Sequence, residues 1–144
     1  MSGRGGRELA LHLLYQMEVR SETLDQVLPE AIEFFQPTAE DRSFGLRLVE
    51  YALEQKDRIE ELVRQTAKNY DPSRFALVDM CVLRIAVAEL LRVPESAPKF
   101  VINEAIELAK SYSTEKSGSF VNGLLDPIAR IVRGDAPLKQ GERK

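Results

Sequence analysis

The chain has 144 residues, 44% hydrophobic and 30% charged, a balance that fits one soluble globular domain with a real core. A net charge of −3 argues against wholesale wrapping by nucleic acid, while one histidine and one cysteine exclude a Cys/His zinc site and an internal disulfide framework. No purely apolar segment follows Met1 to Glu8, so no secretory leader is expected and the cytoplasm is the expected compartment.

Charge is unevenly spread. Residues 21–72 hold twelve acids against six bases, whereas residues 128–144 hold five bases against two acids. Residues 1–20 carry three arginines against two acids, so both ends are basic and the middle is acidic. That pattern allows an anionic partner at one surface.

Met1 to Gly6 offers nothing to pack and is expected to be a mobile basic arm. A first helix is expected over about 7–19, with Ala10, Leu13, Leu14 and Met17 spaced as a core stripe. Beside it, Arg4, Arg7, Leu11 and Tyr15 fall on one edge at intervals of three and four. Bases, an aromatic and a basic arm suit RNA recognition, but alone they better fit the solvated edge of a packed helix with Tyr15 half packed. His12 is expected on the surface.

Thr23 and Gln26 have capping-box spacing before Leu24, Val27, Leu28, Ala31, Ile32 and Phe35, with Pro29 expected to kink or restart that helix. Thr38 to Asp41 opens a third helix carrying Phe44, Leu48, Tyr51 and Ala52. Asp57 and Glu60 repeat the cap pattern before Ile59, Leu62, Val63 and Tyr70. The stretch Phe75 to Leu91, FALVDMCVLRIAVAELL, is apolar at nearly every helical phase and must be enclosed on all sides. Asp71-Pro72 is its expected cap and first turn. Its charges, with Arg84 near the middle, argue against a membrane span, and Arg84 is expected in an ion pair or a helix-end contact.

A sixth helix is expected around Val101 to Lys110, then a polar turn over Ser111 to Gly118. A last helix follows, holding Phe120, Val121, Leu124, Leu125, Ile128 and Ile131. Pro127 is expected to kink it, and Gly123 to admit a neighbouring helix. Asn103 and Asn122 are expected as buried groups whose side chains satisfy each other or serve as caps. One helical domain over 7–133 is expected, then a disordered tail over 134–144. No nucleophile, carboxylate or metal-ligand constellation appears, so no enzymatic activity and no cofactor are expected.

Val82-Leu83-Arg84-Ile85-Ala86, Glu89-Leu90, Pro98, Ile102 to Lys110, then Phe120-Val121-Asn122-Gly123 with Asp126 together resemble the NusB family of bacterial transcription antitermination factors. Arg7, Ala10, Leu14-Tyr15 and Glu18 resemble that family's opening helix, so the likeness spans residues 7–132. The resemblance implies an all-α fold of seven helices in two packed halves around a buried central helix, without catalysis. It implies binding to boxA RNA together with the ribosomal protein NusE, within an antitermination complex on RNA polymerase that supports ribosomal RNA transcription. Carried over by position, the RNA contacts would be Arg4, Arg7, Tyr15, Lys116 and Phe120, with Asp79 facing the protein partner. Some family members also pair with a second copy of themselves.

Only Arg4 and Arg7 stand where some family members carry a denser arginine cluster, which implies weaker phosphate neutralisation. That departure supports an alternative, a helical adaptor that binds NusE with little RNA affinity of its own.

Overall fold

The computed structural model describes residues 3–68, 71 and 75–134, which form seven helices and no strand. They are α1 (Arg4–Arg20), α2 (Leu24–Phe35), α3 (Ala39–Glu54), α4 (Lys56–Thr66), α5 (Leu77–Arg92), α6 (Pro98–Tyr112) and α7 (Glu115–Arg133). Helix α1 packs on α2 and α3 in one half, and α5, α6 and α7 pack together in the other. Helix α5 also touches α1, α3 and α4, so it is the shared centre. Met80 through Val87, apart from half-buried Arg84, are buried along it, as a helix apolar at nearly all phases requires.

Several starts follow their side chains. Thr23 and Gln26 form the capping box of α2, and the Thr38 and Thr114 hydroxyls accept from the Asp41 and Ser117 amides. Other boundaries differ from expectation. Helix α4 starts at Lys56, which puts Asp57 inside its first turn rather than at the cap. Helix α5 starts at Leu77 behind Ala76, not at Asp71, and Pro72 lies outside the described residues. Helix α7 begins at Glu115, so the polar turn is much shorter than expected. Both α2 and α7 continue through their prolines. Each proline removes one backbone donor without ending a helix that tertiary packing holds.

The largest correction concerns the amino terminus. Gly3 caps α1 at φ +74, a left-handed conformation open to glycine, and Arg4 to Gly6 are already helical. A Cβ on Gly6 would lie 2.7 Å from the Phe44 ring, and one on Gly45 would lie 2.8 Å from the Gly6 carbonyl oxygen. The glycines that read as a mobile arm are the contact by which α1 and α3 approach each other. Gly123, by contrast, has nothing within 4 Å of an added Cβ, and Asn103 and Asn122 are exposed. The tail expected over 134–144 lies outside the described residues beyond Gly134.

Candidate nucleic-acid interface

The two arginines of the basic edge have different fates. Arg7 is 4% exposed, and its Nε and Nη2 donate to the two carboxylate oxygens of Glu89, which is wholly buried. Ser96 Oγ donates to Glu89 Oε2 at 2.7 Å. The rings of Phe44 and Phe100 each lie 5.2 Å from the Arg7 guanidinium carbon. A guanidinium so enclosed presents little charge to a phosphate, whereas the resemblance implied an RNA contact at this position. Arg4 keeps 53% of its side chain exposed while donating Nε and Nη2 to Glu104 at 3.3 and 3.1 Å.

Tyr15 is half-buried in a cleft of about 320 Å³ lined by Glu8, Leu11, His12, Val78 and Tyr112. His12 is also half-buried, contrary to expectation, with its ring edge-on to Phe35 at 5.1 Å and near Phe34. Desolvation lowers its pKa from the ordinary value of 6.5, so the neutral imidazole is favoured there.

Lys116 and Phe120 line a second cleft of about 290 Å³, together with Phe75, Asp79, Ser113 and Thr114. The rings of Phe75 and Phe120 meet edge to face at 4.9 Å. Asp79 is 7% exposed, its Oδ2 accepts from the Ser117 hydroxyl at 3.1 Å, and its Oδ1 has no partner among the described residues. A buried carboxylate oxygen left so can accept a further hydrogen bond. The clefts adjoin: Val78 and Asp79 in the first turn of α5, and Tyr112 and Ser113 at the end of α6, each contribute one residue to either side.

Of the six expected site residues, Arg4 and Lys116 are exposed, Tyr15 and Phe120 are half-buried, and Arg7 and Asp79 are buried, each of these last two at the edge of a cleft. Sequence reasoning missed Glu104, Tyr112 and Phe75. Tyr112 had a signal, because it falls one turn beyond Leu108 in a continuing helical pattern. Among the described residues no group of three or more His, Cys, Asp or Glu could hold a metal ion, and no helix is long and apolar enough to cross a membrane.

Comparison with known proteins adds to this geometry. A family model described as the NusB family matches residues 4–130. A transcription antitermination protein NusB of Anaeromyxobacter dehalogenans is 41% identical over 138 residues, covering 95% of this chain and 94% of that protein. The solved structure of T. maritima NusB superposes with a TM-score of 0.80 at 35% identity, covering 89% of this chain and 90% of that one. A crystal structure of antitermination factors NusB and NusE in complex with double-stranded RNA contains a chain matching with a TM-score of 0.81 at 27% identity, over 90% of this chain and 97% of that one.

Proposed function

The chain belongs to the NusB family of transcription antitermination proteins, and from that premise we propose that it binds boxA RNA together with NusE. The observation that carries this reading is the pair of adjoining clefts at the first turn of α5, with Tyr15 and Tyr112 in one and Phe75, Phe120 and Lys116 in the other. Exposed ring faces stack on unpaired bases, and Lys116 and Arg4 attract phosphates without reading sequence. Arg7 holds α1 in register against α5 and so places Arg4 and Tyr15. Asp79, with one unpartnered oxygen at the cleft, is the group for NusE to engage through a donor of its own. The protein works in the cytoplasm, in an antitermination complex with RNA polymerase that supports ribosomal RNA synthesis. Self-pairing of the isolated chain would compete for the same face.

A second reading, the NusE adaptor with little RNA affinity, is favoured by one observation: α1 offers a single outward arginine near its start, and Glu104 engages it. Capture on labelled boxA and scrambled RNA, with and without NusE, separates the two. Preferential boxA capture that NusE strengthens is expected. NusE binding with no boxA retention by the complex would favour the adaptor.

A further inference from the structure

Helix α5 ends with an acceptor that its own backbone cannot satisfy. The Leu90 carbonyl would ordinarily accept from the residue four positions on, but that residue is Pro94, which has no amide hydrogen. Arg133, the last residue of α7, supplies the donor, with its Nε 2.7 Å from the Leu90 carbonyl oxygen. Its Nη2 donates to the Val93 carbonyl at 2.9 Å and its Nη1 to the Ser96 carbonyl at 3.0 Å. One rigid, planar guanidinium so ties the last turn of α5 to the α5–α6 turn.

Ser96 carries that placement inward. Its hydroxyl donates to Glu89 Oε2 at 2.7 Å, and the same carboxylate accepts Nε and Nη2 of Arg7. Glu89 is wholly buried, so its charge is stable there only while these donors stay in place. A polar chain thus runs from the end of α7 through the α5–α6 turn and α5 into α1. It meets α1 where packing is one-sided. On the α3 side the Gly6 backbone lies against Phe44. On the other side a groove of about 620 Å³ opens, with Gly3, Arg7, Ser96 and Phe100 among its lining residues. The buried Arg7–Glu89 contact fixes the first turn of α1 across that groove. Arg4 lies in that turn, and its pair with Glu104 is half exposed, the kind of pair that fixes a side chain weakly.

We propose that Ser96 and Arg133 are positioning residues for RNA binding. They hold Glu89, and through it Arg7, so that the first turn of α1 presents Arg4 in one direction. This role rests on the reading that Arg4 meets RNA phosphate. It gives the end of α7 a part in binding without a contact to RNA. A loosely directed Arg4 still meets a phosphate and releases its counterion, but ordering it on binding costs affinity.

The test combines salt titrations of boxA affinity with nuclear magnetic resonance of the Arg7 Nε–H group and the amides of residues 4–7, on the whole chain. Ser96→Ala and Arg133→Met should shift those resonances. Both should lower affinity by no more than Arg4→Ala does, and should keep the parent's salt slope. Ser96→Thr, which retains the hydroxyl, should restore affinity and resonances. In an Arg4→Ala background neither Ser96→Ala nor Arg133→Met should weaken binding further, because the residue they act through is gone. A loss that persists in full in that background would overturn the proposal, since a general structural defect would then explain it. Resonances of Arg7 and residues 4–7 unmoved by both variants would overturn it too. If Arg133→Met does not fold, Ser96→Ala decides alone, as it removes a single hydroxyl. A parent without boxA affinity would sink the RNA reading, and the Arg7 resonance would still show whether Ser96 and Arg133 hold α1.

Discussion

Arg7 shows how one side chain can serve a surface without being part of it. Its guanidinium is shared among Glu89 and two phenylalanine rings contributed by α3 and α6. Replacing it with methionine leaves Glu89 buried and uncompensated, a loss of roughly 3–5 kcal/mol for such pairs. Urea denaturation of Arg7→Met should show that loss, and adding Glu89→Leu should recover much of it, because an apolar pair of similar volume no longer strands a charge. An unchanged midpoint in the single variant would mean that the pair is more hydrated than its burial indicates. Two other residues make chemical predictions. Burial pushes the Cys81 thiol up to about 11, so a thiol reagent near neutral pH should leave it unmodified until the protein unfolds. His12 has its pKa lowered by desolvation, with Arg20 acting in the same direction and Glu30 against it. The folded state then binds fewer protons than the unfolded state, so its contribution is intact above the ordinary value of 6.5 and is lost as the pH falls through that value toward the folded pKa. The parent should lose more stability than His12→Gln between about pH 7.5 and about pH 5.5; equal losses would show that the imidazole is fully hydrated.

The contact of α1 with α3 is set at the scale of elements. Gly45 lies against the Gly6 carbonyl and the Leu9 side chain, so a methyl group there must push two backbones apart. Gly45→Ala should destabilise by about 1–3 kcal/mol, as overpacking does, although alanine is the better helix former. A calorimetric melting point at or above the parent's would show that the helices can separate at no cost. The same contact explains what the sequence could and could not disclose. Periodicity located the core faces, since the stripe Ala10, Leu13 and Leu14 is buried and α5 is enclosed as its composition requires. Helix ends were less legible. A cap box such as Thr23–Gln26 is a local signal and was found, whereas the start of α1 depends on Phe44 and Gly45, far away in the chain. The burial of Arg7 was hidden for the same reason. Its spacing relative to Arg4 and Tyr15 placed all three on one edge, but Glu89, the residue that buries Arg7, lies in α5. Tyr15, Lys116 and Phe120 were legible as a set only through the family resemblance, because they come from opposite ends of the chain. Asp79 was assigned through that resemblance too, and its unpartnered oxygen could not have been inferred from spacing.

Across the described residues, the proposed RNA surface includes two outward bases, Arg4 and Lys116, since Arg7 is paired with Glu89. The proposed RNA surface therefore rests on few charges and several rings, and this proportion can be measured. Phosphate contacts release counterions, and each one lost from a single strand should flatten the log–log dependence of affinity on salt by about 0.7. Arg4 is exposed for about half of its side chain and Lys116 is exposed, so Arg4→Ala and Lys116→Ala should each lower the slope by up to that amount and weaken boxA and scrambled RNA alike. Tyr15→Ala and Phe120→Ala should cost roughly 1–3 kcal/mol per stacked base while leaving the slope nearly unchanged. Arg7→Met, measured where the variant is still folded, should also leave the slope unchanged, since its guanidinium is committed to Glu89. Asp79→Asn changes a different reading. It should reduce NusE co-elution in gel filtration more than it reduces binding of RNA alone, because the unpartnered carboxylate oxygen is the group assigned to the protein partner. A slope that falls with Arg7→Met but not with Arg4→Ala would move the phosphate path to the α3 side of α1. The clefts of Tyr15 and Phe120 would then have to be reassigned to protein contact.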